Sequence, residues 1–184
     1  MRKLLWLPAV FIGISFSQAA WAALPAGFWQ YPAIAGVGPV HPLPNAGVQP
    51  SKIVVYKAVF NLTKAAKSPT DVNDGLAQVA RAVNVFASAG VPPDRLRFVV
   101  IVHGPATSMV LDNMHYKQRF GMDNPNDVVI RELTAAGVQI TVCGQSLADN
   151  QFEHDWVNSY VEVTLSAPST LIVLQHEGYA LVPL

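Results

Sequence analysis

The sequence predicts one α/β domain with a three-layer α/β/α arrangement, in which a mainly parallel, five-stranded sheet lies between helices. Strand-like and helix-like segments alternate along the chain in the order β-α-β-α-α-β-α-β-α-β. The run Phe98–Val102 is apolar at every position, which suits a central parallel strand covered on both faces. The chain has 184 residues, of which 51% are hydrophobic, and this is enough for one sizeable core.

The first predicted unit is a strand, a helix and a second strand. Residues Lys52–Leu62 are rich in β-branched and aromatic side chains, as strands are. Thr70 or Asp71 can cap the helix that follows, and Gly90 ends it. The apolar residues of this helix recur at helical spacing on one face: Leu76, Val79, Ala80, Val83, Phe86 and Ala87. The second strand covers Arg97–Val102.

Two helices lead to the third strand. The first is expected over Thr107–Arg119, with its apolar residues Met109, Val110 and Met114 facing inward. Asn124 is expected to cap the second, because Pro125 then takes the first helical position. Gly137 ends this helix, and the alternation of apolar and polar residues predicts a strand over Val138–Cys143.

The remaining segments continue the alternation. A short helix is expected from Gln145 onward, followed by a strand over Val161–Leu165. Ser166 caps a last helix that runs through His176. Residues Tyr179–Val182 form the final predicted strand.

Residues 1–22 have the order of a cleavable signal peptide. Arg2 and Lys3 are followed by the apolar run Leu4–Phe16 and then by small residues up to Ala22. We expect cleavage after Ala22 and a periplasmic or secreted protein, since the apolar run is short for a membrane span. The alternative is an uncleaved N-terminal anchor.

Charge and motif content exclude several classes of function. The chain holds 12 Lys+Arg and 12 Asp+Glu, and loss of the signal peptide would remove two of the basic residues. This balance gives no basic surface for nucleic acid and no polybasic patch for a membrane. The five histidines show no ligand spacing, so no metal is expected. No cofactor is expected either, because the sequence contains no phosphate-binding glycine loop. A serine hydrolase is not indicated, because no nucleophile elbow is present.

Residues 23–50 form an arm rich in proline and glycine that precedes the predicted domain, residues 51–184. No helical or strand period is present in the arm, yet Phe28, Trp29 and Tyr31 are too apolar for a plain solvated linker. Three interpretations stay open: an arm packed on its own domain, an arm packed on a neighbouring subunit, or a loose tether.

Cys143 is the single cysteine, and it lies where the third strand meets Gly144. The carboxyl ends of parallel strands form the ligand crevice of open α/β sheets. Free backbone N–H groups at the start of the next helix would favour a thiolate there. The alternative is a buried, inert thiol, which is common for free cysteine.

His103 follows the second strand and therefore lies at the same edge of the predicted sheet as Cys143. A lone histidine at such a turn can be a satisfied structural residue or a functional one. Its pairing with a cysteine at a neighbouring strand end favours a functional role, and the structural alternative stays open.

Several short motifs together resemble the DsrE/DsrF-like group of sulfur-relay proteins over residues 52–184. The matching pieces are Val100-Ile101-Val102-His103-Gly104, Phe120-Gly121, Asn124-Pro125-Asn126, Val142-Cys143-Gly144-Gln145-Ser146 and Gly178-Tyr179-Ala180-Leu181. The resemblance implies the three-layer fold above and a homo-oligomer, a trimer or a hexamer. It also implies that the residue matching Cys143 accepts and passes on sulfur as a persulfide.

The resemblance supplies the remaining candidate site residues. The positions expected to line the site are His103, Gly104, Asn124, Gly144, Gln145 and Ser146. The expected partners are a sulfur donor and a sulfur acceptor, either a protein or a small sulfur compound. The predicted export sets this chain apart from the cytoplasmic relay proteins, so its donor and acceptor can differ from theirs.

Two functions from different classes remain after these steps. The first is an exported carrier of sulfane sulfur on Cys143, for which the status of an enzyme stays open. The second is a non-catalytic, oligomeric module that binds a small ligand or a protein, in which Cys143 only packs. An accessible thiol with a lowered pKa would favour the first, and a thiol that reacts only after unfolding would favour the second.

Overall fold

A computed structural model describes residues 24–184, so the predicted signal peptide, residues 1–22, lies outside the described part of the chain. The described residues contain a five-stranded, all-parallel sheet with the order β4-β3-β2-β1-β5. The strands are β1 Tyr56–Leu62, β2 Leu96–Val102, β3 Gln139–Cys143, β4 Val161–Thr164 and β5 Ala180–Pro183. This confirms the predicted α/β fold and places the cysteine strand β3 beside the central strand β2.

Five α-helices connect the strands in the predicted order. They are α1 Asp74–Ser88, α2 Asn113–Phe120, α3 Asp127–Ala135, α4 Gly144–Asp149 and α5 Ala167–His176. Short 3-10 helices cover Pro93–Arg95, Gly104–Val110 and His154–Trp156. Because every strand is parallel to its neighbour, all five carboxyl ends lie at one edge of the sheet, and that edge is where the Cys143 turn begins.

The first face of the sheet, which packs on α1 and α3, carries most of the core. Alternate strand residues such as Phe60, Val100 and Ile140 join buried side chains of α1 and α3 in one cluster of 26 residues. Leu76 of α1 and Leu133 of α3 are completely buried in it. Burial of this much apolar area is the main favourable term in the stability of the domain.

The second face of the sheet is covered by α5 and has a much smaller core. Its cluster holds five buried residues, which include Val99, Ile101 and Cys143. Leu171 and Leu174 of α5 pack on this cluster but are only half-buried. The candidate thiol therefore belongs to the thinly covered face.

The arm packs on its own domain through one asparagine of α1. Asn84 is completely buried, and its oxygen accepts the backbone N–H groups of Ala33 (2.9 Å) and Ile34 (2.8 Å). Its amide nitrogen donates to the carbonyls of Ile34, Val37 and Gly38 at 3.0–3.1 Å. A side chain on Gly38 would overlap the backbone of α1, so glycine is needed for this close approach.

The structure corrects where two of the predicted elements begin. Residues 52–54 form a turn in which Ile53 is 81% exposed, so β1 starts at Tyr56 and not at Lys52. The N-cap of α1 is Asn73, whose Oδ1 accepts the N–H of Gly75 at 2.8 Å, and not Thr70 or Asp71.

The segment predicted as one helix over Thr107–Arg119 is two helices. Leu111 makes an isolated antiparallel bridge with Val157, which ends the 3-10 helix before α2 begins. Asp112 caps α2, and Tyr116 is its buried residue, whereas Met114 is 59% exposed instead of inward.

The third helix also starts later than predicted. The N-cap of α3 is Asn126, two residues after the expected cap Asn124. The side chain of Asn124 is engaged elsewhere, because its amide nitrogen donates to the carbonyls of Met109 (2.8 Å) and Leu111 (2.7 Å). Its oxygen accepts the N–H of Asn126 at 2.9 Å, so Asn124 joins the start of α3 to the segment before α2.

Within residues 24–184, each helix is too short or too polar to cross a membrane.

Candidate functional site

The turn from β3 to α4 holds Cys143 in a polar setting at the carboxyl edge of the sheet. Cys143 is the last residue of β3, and it pairs in register with Thr164 at the end of β4. Its Sγ accepts the backbone N–H of Ser146 at 3.4 Å, so the sulfur acts as the N-cap of α4. The expected strand-to-helix turn is present, and the residue Cys143 is only 4% exposed.

Gly144 allows the segment between β4 and α5 to approach this turn. A Cβ on Gly144 would lie 2.9 Å from the backbone oxygen of Thr164 and 3.5 Å from that of Leu165. The 2.9 Å contact is too close, and it is with backbone, which cannot swing aside as a flexible side chain can. A larger residue at this position would therefore displace the segment that leads to Ala167, the first residue of α5.

Hydrogen bonds from two helices make the thiol more acidic. Burial of the sulfur acts to raise the pKa of Cys143. The hydroxyl and the backbone N–H of Ser146 oppose this, as do the backbone N–H groups of Ala167 and Gln145. These donors outweigh the burial, so the pKa of Cys143 lies below its ordinary value. The arrangement favours a thiolate, which is the nucleophilic form of cysteine.

His103 lies next to Cys143 across the β2–β3 pair. Val102 pairs in register with Val142, so the next position of each chain brings His103 beside Cys143. Nε2 of His103 is 2.7 Å from Oδ1 of Asn61, and an amide oxygen can only accept. In the neutral ring the proton therefore lies on Nε2, and Nδ1 is left able to accept one. Burial lowers the pKa of His103, which favours this neutral form.

Ser146 connects the two loops of the site, and Gln145 connects it to α5. The N–H of Gly104 donates to the hydroxyl oxygen of Ser146 at 3.1 Å. Gly104 has φ of +57°, a left-handed conformation that glycine adopts without strain. The side chain of Gln145 donates to the carbonyl of Leu165 at 3.3 Å and so points to the β4–α5 segment.

The structure brings together six of the seven expected site residues. Cys143, Gly144, Gln145 and Ser146 form the turn itself, and His103 and Gly104 form the neighbouring loop. The side chain of the seventh, Asn124, makes its hydrogen bonds with Met109 and Leu111 before α2 and with Asn126 at the start of α3, and none with this turn.

Two residues of the site were missed by sequence reasoning. Asn61 accepts a hydrogen bond from the His103 ring. Its position as a polar residue near the end of the apolar strand β1 was the signal in the sequence that could have identified it. Ala167 contributes only its backbone N–H, so its residue type carries no signal. The expected cap Ser166 did mark the start of α5, but the strand order was needed to place that start beside β3.

Other features of the described residues do not extend this site. Among residues 24–184, no three His, Cys, Asp or Glu side chains lie close enough together to hold a metal ion. A cleft of about 760 Å³ contains Asp94, Arg97 and Glu132 in its lining. Leu96 and Gly137, which also line it, lie at the amino ends of β2 and β3, so this cleft is at the opposite edge of the sheet from Cys143.

Comparison with known families agrees with the architecture. The sequence model of the DsrE/DsrF-like family matches residues 57–184, which include strands β2–β5, all of β1 except Tyr56, and the Cys143 turn. The chain belongs to the DsrE/DsrF-like family. Membership explains why the short motifs around His103 and Cys143 occur together in one chain. No curated protein matches this DsrE/DsrF-like chain significantly.

Two solved structures share the fold of this DsrE/DsrF-like protein. A protein of unknown function, MTH1491 from Methanobacterium thermoautotrophicum, is 21% identical, with a TM-score of 0.53 over 70% of this chain and 99% of that chain. The ychN protein from E. coli is 14% identical, with a TM-score of 0.51 over the same shares of the two chains. At these identities the likeness concerns the fold alone.

Proposed function

We propose that this protein carries sulfane sulfur as a persulfide on Cys143. The family to which the chain belongs is generally one of sulfur relay. The observation that carries the proposal is the thiol itself, which receives hydrogen bonds from the start of α4 and from the start of α5 and has a lowered pKa. Such donors stabilise a sulfur anion, and a carrier needs that anion both before loading and after unloading.

The loading step requires a donor that already contains sulfane sulfur, such as polysulfide, thiosulfate or a partner's persulfide. The Cys143 thiolate attacks the sulfane sulfur, forms a new S–S bond and breaks the S–S bond of the donor. The donor leaves as an anion with the electron pair of the broken bond, so no external oxidant is needed. Nδ1 of His103 is the candidate acceptor for the thiol proton before the attack.

An intact-mass measurement tests the proposal. The mature protein and the variant Cys143→Ser are incubated with polysulfide or thiosulfate, and the mass of each is compared before and after. We expect added sulfur atoms on the wild type and none on the variant. Equal sulfur addition to both proteins, or none to either, would contradict a persulfide on Cys143.

A non-catalytic binding module is the second candidate function. It is favoured by one observation, the 4% exposure of Cys143, which is typical of a cysteine that only packs. Labelling of the native protein with a thiol reagent separates the two. Rapid labelling of the native state supports the carrier, whereas labelling only after unfolding supports the binding module.

We propose export of the protein on the basis of the sequence pattern of residues 1–22. The expected mature chain begins at Ala23. N-terminal sequencing of the protein recovered from the periplasm or the medium tests this, and recovery of the uncleaved chain from the cytoplasm would contradict it.

A homo-oligomer, a trimer or a hexamer, is proposed from the family resemblance. The molar mass of the purified chain in solution decides it, and a monomer at working concentration would exclude both assemblies. The proposed sulfur donor is a group that gives one sulfane sulfur, and the proposed acceptor is a group that takes it.

A further inference from the structure

Asn61, His103 and Cys143 lie on one face of the sheet, on three neighbouring strands. Val59 of β1, Ile101 of β2 and Cys143 of β3 all belong to the buried cluster of the second face. Side chains alternate along a strand, so Asn61 shares this face with Val59, and His103 shares it with Ile101. Because β2 lies between β1 and β3, the three side chains form a row at the carboxyl edge with His103 in the middle.

The backbone and the ring of His103 are both bonded to β1. With φ of −157° and ψ of 176°, His103 continues the extended geometry of β2, and its N–H donates to the carbonyl of Leu62 at 3.1 Å. Nε2 of the ring donates to Oδ1 of Asn61 at 2.7 Å. Both side chains are half-buried, and the lower polarity of such a place strengthens a hydrogen bond. The ring therefore has one preferred orientation.

The hydrogen bond with Asn61 also decides where the other ring nitrogen points. The two nitrogens of an imidazole are separated by one carbon, so they face nearly opposite sides of the ring. Since Nε2 points toward β1, Nδ1 points toward β3, where Cys143 occupies the next position in register. A base placed in this way can take the thiol proton directly or through one water molecule.

We propose that Asn61 is a positioning residue, which directs Nδ1 of His103 at the Cys143 thiol and stabilises the imidazolium that forms when the ring takes the thiol proton. This inference rests on the proposed function, because sulfur loading needs an activated thiol. The proton moves from Sγ to Nδ1, and the electron pair of the S–H bond stays on the sulfur, so no oxidant or reductant is needed. The bond from Nε2 to Asn61 strengthens as the ring gains its charge.

An amide at position 61 suits this role because it accepts a hydrogen bond without carrying a charge. A carboxylate there would hold the ring as imidazolium, whereas the amide leaves Nδ1 of the resting ring able to accept a proton. The thiolate–imidazolium pair and the neutral pair contain the same number of protons. The fraction of the ion pair therefore sets the reactivity of the thiol between the two titrations. Above both titrations the thiolate is present without help from His103.

The test measures the alkylation of native Cys143 by iodoacetamide, followed by intact mass over a range of pH, and needs no sulfur donor. Asn61→Ala removes the acceptor, whereas Asn61→Asp keeps an oxygen at the same place and adds a charge. His103→Gln removes the base and is made alone and together with Asn61→Ala. Asn45→Ala, in an exposed turn of the arm, is the control.

We expect Asn61→Ala to react about three- to tenfold more slowly than the wild type at neutral pH, the range of one hydrogen bond. The loss should disappear at high pH, where both proteins hold the thiolate. Asn61→Asp should react at least as fast as the wild type, because a carboxylate stabilises the imidazolium. In the His103→Gln background, Asn61→Ala should have no further effect, since Asn61 acts through the ring. Asn45→Ala should react as the wild type does.

A second measurement uses the wild type alone, so it applies even if Asn61→Ala does not fold. The nitrogen resonances of the His103 ring, assigned by their loss in His103→Gln, report which nitrogen carries the proton. At a pH where the ring is neutral, we expect the proton on Nε2. A proton on Nδ1 would overturn the inference, because the ring could not then accept the thiol proton at that atom.

Three results of the alkylation experiment would also overturn the inference. These are a loss in Asn61→Ala that is absent or equal at every pH, an Asn61→Asp variant as slow as Asn61→Ala, and a native thiol that does not react at any pH. Failure of the carrier function looks different. In that case Cys143 is alkylated with the expected dependence on Asn61, but it takes up no sulfur from polysulfide or thiosulfate.

Discussion

The helices α1 and α5 cover opposite faces of one sheet. Of these two helices, only α1 is in turn covered by another segment, the arm. The apolar side of α1 lies in the cluster of 26 buried residues, and the arm is fixed along it by Asn84. The outer side of α5 is open, with Ile172 and Val173 exposed at 69% and 54%. Stability is thus concentrated on the α1 face, whereas α5 provides little core and supplies a backbone donor to the Cys143 thiol. The domain thus separates the layer that contributes most of the core from the layer that contacts Cys143.

The largest expected effect is a loss of core on the α1 face. Leu133 of α3 is completely buried, so Leu133→Ala should lower the free energy of unfolding by about 3 kcal/mol. Leu174 of α5 is half-buried, and Leu174→Ala should cost only about 1 kcal/mol, since less apolar area returns to water. Denaturant unfolding of both variants measures the difference. Equal losses of unfolding free energy in the two variants would mean that the two faces of the sheet contribute equally to stability.

The next effect concerns the attachment of the arm to α1. Asn84→Ala leaves two N–H groups and three carbonyls of the arm without their partner, so the domain should lose about 2 kcal/mol of stability. The arm should also become sensitive to proteases. Gln78→Ala, at an exposed position of α1, is the matched control and should be neutral. An arm that stays protected in Asn84→Ala would show that its apolar residues suffice to hold it.

A smaller effect is expected where α5 approaches the thiol. Gly144→Ala places a methyl group against the backbone of Thr164, which must shift and carry the start of α5 with it. We expect a cost of about 1 kcal/mol, as for overpacking, and a rise in the pKa of Cys143 as the N–H of Ala167 moves away. Gly47→Ala is the control, because open space surrounds that position. A lowered pKa that survives in Gly144→Ala would mean that α5 is dispensable for the thiolate.

Much of the fold and part of the candidate site follow from the sequence alone. The strand positions and the apolar side of α1 follow from the local periodicity of apolar residues. The order of all ten strands and helices was predicted correctly from this periodicity. The Cys143 turn was also predictable, because a strand pattern ends at a glycine there. These features depend on neighbours in the sequence.

The two wrong helix caps have a common physical cause in long-range hydrogen bonds of asparagine. Asn73 caps α1 while its own N–H donates to Oδ1 of Asn126, which is 53 residues away. Asn124 binds carbonyls at the end of the 3-10 helix and so does not cap α3. A sequence pattern ranks the possible N-caps by residue type alone. Hydrogen bonds to residues distant in the sequence determine which of these residues caps the helix. The N–H of Ala167 at the thiol depends likewise on the strand order, which the sequence pattern does not determine.

The smallest expected effect on stability is a pH dependence that comes from Cys143. Its pKa in the folded protein lies below the ordinary value that holds in the unfolded chain. Between these two pKa values the unfolded state binds the proton that the folded state has released, so stability rises with pH. The contribution is complete above the unfolded pKa and is lost as the pH falls through the folded pKa.

Comparison of the wild type with Cys143→Ser isolates this contribution, because His103 and the other titrating groups are present in both proteins. The difference in free energy of unfolding, wild type minus variant, should grow as the pH rises through that interval. Denaturant unfolding at a series of pH values measures it. A difference that stays constant with pH would show that the donors from α4 and α5 do not favour the anion. A difference that falls as the pH rises would mean that burial of the sulfur outweighs these hydrogen-bond donors. Cys143 would then be an inert thiol.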